Sequence, residues 1–170
     1  MSLPGLGQLE ATPEILRLLM EGVSEEETRW KAGPDRFSIA ETLEHLSHAE
    51  GHNFRTRLER MVKEDDPELE LYDQDAHFAS GQYSGREAED SFDHFEEQRE
   101  QNLEYLRGLP GAAAARTGKH PELGSITIGQ MLNYWAFHDL GHIRQIAEIV
   151  RAQRYHPHLG PFQRYARVNP

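Results

Sequence analysis

Apolar residues recur every three or four positions in four separate stretches of the chain, which is the spacing of one face of an α-helix. The predicted helices cover about residues 13–20, 38–63, 84–108 and 127–151. In the last of them Trp135, Ile146 and Ile149 belong to the apolar face. The pattern therefore predicts an all-α protein.

Two helix starts carry capping signals. Ser38 with Glu41 three residues later has the form of a capping box, in which each side chain binds a free backbone N–H of the first turn. Thr12 followed by Pro13 has the form of an N-cap and a first-turn proline. We therefore expect residues 1–12 to be a loose lead-in to the first helix.

The connections between the helices are unequal. Residues 67–85 form a long linker, which in a compact domain is suspected of a function, and a short helix is predicted at residues 73–79. One short and two long connections predict a four-helix bundle with long crossover connections. We expect a single domain over residues 1–170 with its core at about residues 12–151. The pattern leaves open whether the tail, residues 152–170, packs across the bundle or lies free.

Charge and composition exclude several classes of function. The net charge is −11, from 18 basic and 29 acidic residues, and no basic patch is visible, which argues against a nucleic-acid partner. The chain has no cysteine, so it forms no disulfide and offers no thiolate to a metal or a substrate. No secretory signal and no apolar stretch of bilayer length is present. We expect a cytoplasmic protein without a membrane partner.

The ten histidines include a pair that points to a metal. His138 and His142 lie four residues apart on the apolar face of the last predicted helix, so both imidazoles can reach one ion. The second helix offers His45, His48 and His52 as a third ligand. His45 is closest to the apolar stripe, whereas His48 and His52 are expected to face solvent.

The segments FSIAETLEHLSHAE, HPELGSITIGQML and WAFHDLGHIRQIAEIVR resemble the DinB/YfiT-like superfamily of four-helix bundles, which includes bacillithiol S-transferases. The resemblance covers about residues 12–151. It implies one divalent ion, nickel or zinc, bound by His45, His138 and His142, with open positions for water. It also implies a homodimer, and it places Tyr72 of the linker near the mouth of the site. Tyr72 is equally suited to ordinary packing.

Three neutral imidazoles leave a metal ion with exchangeable positions, as in catalytic sites. The leading hypothesis is a thiol transferase that activates a small external thiol for attack on an electrophilic substrate. The alternatives are a hydrolase that uses a metal-bound hydroxide and a non-catalytic metal- or ligand-binding protein. Glu41 and Asp139 are candidates to orient an imidazole, with a surface position expected for Asp139. No general base is assigned.

Overall fold

A computed structural model describes residues 3–170 of the chain. Its regular secondary structure is helical apart from two short strands. The helices and strands, in chain order, are α1 (Leu6–Met20), α2 (Glu25–Thr28), α3 (Ile39–Ala49), α4 (Thr56–Lys63), α5 (Gln74–Ala79), α6 (Ala88–Arg107), β1 (Thr117–His120), β2 (Gly124–Thr127) and α7 (Ile128–Val150). A π-helical segment, Glu50–Arg55, joins α3 to α4 without a break, and 3₁₀ turns lie at Gly111–Ala115, His156–His158 and Gly160–Arg164.

Four long helical elements form the bundle: α1, the continuous α3–α4 helix, α6 and α7. The α3 helix packs against α6, and α1 packs against α7; further contacts join α3 to α7 and α1 to α6. The connections are residues 21–38, which contain α2, residues 64–87 and residues 108–127; the first is nearly as long as the third, and the last two are called the first and second long connections. The predicted four-helix bundle is confirmed.

The first helix begins earlier than the sequence predicts. It starts at Leu6 rather than at Pro13, so residues 6–12 are helical and not a loose lead-in. Gly5 precedes it with φ of 74°, and a Cβ there would lie 2.7 Å from the carbonyl oxygen of Leu132 on α7. Glycine is therefore required on both counts, because it has no Cβ and tolerates positive φ.

The predicted capping box at Ser38 is present, and α7 begins with a second one that the sequence analysis did not predict. Ser38 Oγ accepts from the backbone N–H of Glu41 at 3.1 Å, and Glu41 Oε2 accepts from the N–H of Ser38 at 2.9 Å. Thr127 and Gln130 make the same reciprocal pair at the start of α7. These boxes set where α3 and α7 begin, and hence which residues of each helix face the bundle.

The second long connection contains a β-hairpin that the sequence analysis did not predict. Strands β1 and β2 pair antiparallel, and Lys119 of β1 also exchanges backbone hydrogen bonds of 2.8 Å with Pro67 and Leu69 of the first long connection. Gly118 lets the hairpin approach α4, since a Cβ at this position would lie 2.9 Å from Met61 Cγ. The hairpin therefore ties the two long connections together at one end of the bundle.

Two apolar clusters fill the bundle. One contains Trp135, Phe54, Leu58 and Leu132, and the other contains Leu43, Leu46, Phe92, Phe95, Ile146 and Ile149. Along α7 the first cluster ends with Ala136 and the second begins with Ile143. His138 and His142 lie between these two positions of α7, so the histidine pair is located where the apolar core is interrupted.

The tail packs back on the bundle, which settles the question left open by the sequence. Arg154 Nε lies 3.0 Å from a carboxylate oxygen of Glu27, and the backbone N–H of Asn169 donates to Glu148 Oε1 at 2.7 Å. Arg36 donates to Asn169 Oδ1 at 3.0 Å. Within residues 3–170, none of the helices combines the length and the apolar character that crossing a bilayer requires.

Candidate metal centre

The structure brings His45, His138 and His142 together. Nε2 of His138 lies 3.0 Å from Nε2 of His45 and 3.2 Å from Nε2 of His142. One nitrogen from each ring lies within 4.8 Å of the other two. His45 on α3 is fully buried, and the α7 pair is half-buried. The arrangement joins two helices that are far apart in sequence. Apolar spacing predicts the pair on α7, and the family resemblance implies His45 as the third member.

The second nitrogens of these rings show that the site suits a cation. His142 Nδ1 lies 2.9 Å from Gln145 Oε1, and His45 Nδ1 lies 3.4 Å from the hydroxyl of Tyr83. His138 Nδ1 is buried, has no hydrogen-bond partner among residues 3–170 and lies 4.0 Å from Asp139 Oδ1. The oxygens of Gln145 and Asp139 can only accept, so they favour the proton on Nδ1 of His142 and His138, and the Tyr83 hydroxyl can accept from His45 in the same way. The three Nε2 lone pairs then face one another, which fits a shared metal ion.

Burial keeps two of these imidazoles neutral. Loss of solvent, together with the nearby imidazoles, lowers the pKa of His45 from 6.5 to about 2. The same causes, led by burial, lower the pKa of His142 to about 4. Both rings are therefore in the neutral form that binds metals at pH 7.

A charged network lies behind His138. Arg99 of α6 donates to Asp139 Oδ2 at 2.7 Å and to both carboxylate oxygens of Glu50, at 2.6 and 2.9 Å. Thr12 donates to Asp139 Oδ2 at 2.7 Å, and the indole of Trp135 donates to Glu50 at 3.2 Å. The Arg99 and Glu50 side chains are 1% exposed. The network therefore ties all four helices of the bundle together below the histidines.

The expected surface position of Asp139 is wrong, because its side chain is 0% exposed. Burial alone would raise the pKa of Asp139, but the charge of Arg99 and hydrogen bonds to the carboxylate hold it below its ordinary value. The sequence does carry a signal for this network. Arg99 and Glu50 lie four residues after the apolar residues Phe95 and Leu46, at positions where a charge has to be paired inside the core.

Glu41 does not reach an imidazole. Its Oε1 accepts from Lys31 at 2.8 Å and its Oε2 accepts from the N–H of Ser38. The group at the outer nitrogen of His45 is Tyr83, which the sequence analysis did not single out. The suggestion that Glu41 orients His45 is therefore replaced by a contact from the long linker.

Tyr72 both packs and takes part in the site. Its ring packs against the apolar core, and its hydroxyl lies 3.1 Å from that of Tyr83 and 2.9 Å from His48 Nδ1. His48, expected to face solvent, is half-buried by these contacts, whereas His52 is exposed as expected. Desolvation lowers the pKa of His48 to about 4. The linker thus covers one side of the three-histidine cluster.

A cavity of about 770 Å³ opens beside the cluster, and His138 and His142 form part of its wall. Tyr134 and Phe137 of α7 supply aromatic surface, and Arg144 is one of its cationic residues. Arg36, Arg151, Asn169 and Pro170 also line it, so the end of the tail borders the cavity. Its size suits a small molecule.

Comparisons with known proteins find similar sequences and a similar fold. The family model described as "DinB superfamily" matches residues 8–146. A protein of Oceanobacillus iheyensis named "Putative metal-dependent hydrolase" is 26% identical over 149 residues, which cover 86% of this chain and 84% of that protein. The solved structure of YfiT from Bacillus subtilis, described as "a probable metal-dependent hydrolase with an unusual four-helix bundle topology", matches with a TM-score of 0.78 and 20% identity. That match covers 87% of this chain and 85% of YfiT.

Proposed function

Because the chain belongs to the DinB superfamily, we propose that His45, His138 and His142 hold one divalent metal ion and that the protein is a metal-dependent thiol transferase. The convergence of three Nε2 atoms beside a cavity is the observation that carries this proposal. The three histidines lie on α3 and α7 within the residues that the family match covers, whereas part of the cavity wall, including Arg151 and the end of the tail, lies beyond it.

His45, His138 and His142 would hold a divalent ion, which when bound would acidify a coordinated thiol or water near neutral pH. The low pKa values of His45 and His142 keep two of these ligands free of protons. Since the chain has no cysteine, the thiol has to come from a small molecule. The cavity has the volume for such a thiol, and Phe137 and Tyr134 offer apolar surface to its electrophilic partner.

The environment of the nearby carboxylates favours thiol transfer. A metal-dependent hydrolase commonly uses a carboxylate as general base, as in the zinc proteases. Asp139 is occupied by Arg99 and Thr12, and Glu41 by Lys31 and a backbone N–H. A thiol that binds a metal ion loses its proton outright and needs no such base.

Conjugation assays test the proposal. Protein loaded with nickel or zinc is incubated with several small thiols and monochlorobimane or an epoxide, and product is measured. We expect metal-dependent conjugation that His142→Ala abolishes and that His52→Ala, a change of an exposed histidine, leaves intact. Absence of turnover with every thiol at saturating metal would reject the transferase and favour a non-catalytic metal-binding protein.

Hydrolysis is the second candidate, because the names of both relatives describe metal-dependent hydrolases. It would use the same three histidines, with water in place of the thiol. Cleavage of ester or amide substrates without added thiol, lost in His142→Ala, would support the hydrolase. Conjugation that depends on thiol concentration would support the transferase.

The remaining expectations stay predictions: nickel or zinc as the metal, a homodimer and a cytoplasmic location. Elemental analysis of protein expressed without a polyhistidine tag measures the metal, since imidazole ligands alone also suit copper and iron. Light scattering of the same preparation measures the oligomeric state. Copper or iron as the bound element, or a monomer, would correct these predictions without changing the three-histidine site.

A further inference from the structure

A chain of hydrogen-bonded side chains leads away from His45 toward the linker. His45 Nδ1 lies 3.4 Å from Tyr83 Oη, which lies 3.1 Å from Tyr72 Oη. Tyr72 Oη in turn lies 2.9 Å from His48 Nδ1, and His48 Nε2 lies 3.0 Å from the side-chain amide nitrogen of Gln82. A flip of this amide presents its oxygen instead, which accepts when His48 carries its proton on Nε2. The chain is therefore continuous from the three-histidine cluster to the surface of the linker.

The chain can run in only two directions, because each hydroxyl has one proton to donate. Burial raises the pKa of both tyrosines, so both hydroxyls keep their protons. If His45 Nδ1–H donates to Tyr83, then Tyr83 donates to Tyr72, and Tyr72 donates to His48 Nδ1. In the opposite direction Tyr83 donates to His45 Nδ1, which forces the His45 proton onto Nε2.

Only the first direction leaves a lone pair on His45 Nε2, the nitrogen that faces His138. We propose that Tyr83 is a positioning residue that accepts the Nδ1–H of His45, and thereby fixes the tautomer and ring orientation that this histidine needs as a metal ligand. Tyr72 supports this role by accepting the hydroxyl proton of Tyr83, and His48 Nδ1 accepts that of Tyr72. The inference rests on the proposed metal site but not on its reaction.

The position of Tyr83 distinguishes this role from simple packing. Its side chain is 1% exposed, although it comes from a linker, and its hydroxyl has no other hydrogen-bond partner in the described chain than His45 and Tyr72. Its ring meets that of His45 edge-on at 5.4 Å between centroids. Both the ring and the hydroxyl of Tyr83 are therefore directed at the metal-binding imidazole.

Zinc binding by Tyr83→Phe tests the inference. The variant keeps the ring and removes only the hydroxyl, and we expect zinc affinity to fall about 10–100-fold, the usual effect of losing a partner of a ligating histidine. Tyr72→Phe should weaken zinc binding less, because Tyr83 can still accept from His45 but loses the acceptor for its own proton. Tyr105→Phe, the matched control at a half-buried tyrosine beside Arg55, should bind as the unaltered protein does.

Nitrogen-15 NMR of the zinc-loaded protein supplies a readout that packing alone would not change. We expect a His45 Nδ1–H signal protected from solvent exchange, and we expect Tyr83→Phe to shift it and speed its exchange. Zinc affinity and a His45 signal equal to those of Tyr105→Phe would overturn the role of Tyr83. Failure of the unaltered protein to bind zinc would instead reject the metal site, and absence of thiol turnover with normal zinc binding would reject only the proposed reaction.

Discussion

Replacing Arg99 with methionine is expected to destabilise the bundle by about 3–5 kcal/mol, since removal of one partner from a buried ion pair leaves an uncompensated charge. Here two carboxylates, those of Glu50 and Asp139, would lose their only cation among the described residues. Arg99 also donates to the carbonyl oxygen of Leu9 at 2.8 Å. Methionine replaces the aliphatic part of the side chain but none of these bonds.

The loss is large enough to measure by urea unfolding of metal-free protein followed by circular dichroism. For a chain of this length, a loss of 1 kcal/mol lowers Tm by about 2–4 °C, so Tm should fall by the order of 10 °C. Folded domains are stable by only about 5–15 kcal/mol, so a substantial part of the total stability is at stake. The measurement is made without metal to keep metal binding out of the comparison.

Arg17→Met is the matched control. Like Arg99, Arg17 pairs with a carboxylate of another helix, that of Glu96. Each arginine lies over a phenylalanine ring, Arg99 over Phe95 and Arg17 over Phe92, but the Arg17 side chain is 57% exposed. We expect a much smaller loss there, because water screens exposed ion pairs. Equal losses in the two variants would refute the reasoning. In the Arg99→Met background, Glu50→Gln should recover part of the stability, since it removes one unpaired charge.

Three further predictions concern the metal, the pH and the hairpin. Elemental analysis should find no bound metal in His45→Ala or His142→Ala and should find it in His52→Ala. Metal retained by His45→Ala would exclude His45 as a ligand. The free energy of unfolding of the metal-free protein, measured in urea, should fall as the pH falls from 7 to 5. In the folded protein the pKa values of His45 and His142 are about 2 and 4, so these histidines bind protons in this pH range only in the unfolded chain, where the pKa is near 6.5. A free energy of unfolding that does not change with pH would contradict those shifts. Gly118→Ala should lower the stability of the protein by about 1–3 kcal/mol, because the added methyl group overpacks the contact with α4. Gly7→Ala, in open space within α1, should raise the stability by about 0.5–1 kcal/mol. Equal melting temperatures of the two variants would refute the packing argument.

Local sequence signals account for the parts of the fold that were predicted. Ser38 and Thr127 begin their helices through contacts within four residues, so their effect can be read without knowledge of the tertiary structure. From these starts, helical spacing brings His138 and His142 to one face of α7. Helical spacing favoured His45 over His48 and His52 only weakly. The choice of His45 as the third ligand depended mainly on the resemblance to the family.

Features that depend on distant contacts were not predicted. Tyr83 meets His45 across 38 positions of the chain, through a linker with little periodicity. The π-helical segment after Ala49 contains the buried residues Glu50 and Phe54, and no local signal in the sequence marks it. The β-hairpin, with Gly118, is stabilised partly by backbone bonds to the other long connection. In each case the partner residue is unknown until the fold is known.

The errors at Thr12, Pro13 and Asp139 have a common cause, which is Arg99. Proline has no N–H, so Pro13 inside α1 leaves the carbonyl oxygen of Leu9, four residues earlier, without a helical donor, and Arg99 donates to that oxygen. Thr12, next to it, donates to Asp139 instead of capping a helix. Thr12-Pro13, a pattern that normally starts a helix, therefore lies inside α1, where it leaves a carbonyl oxygen free to accept from the buried Arg99. Local rules are expected to fail where a sequence serves a polar site in the core, and this site lies directly below His138.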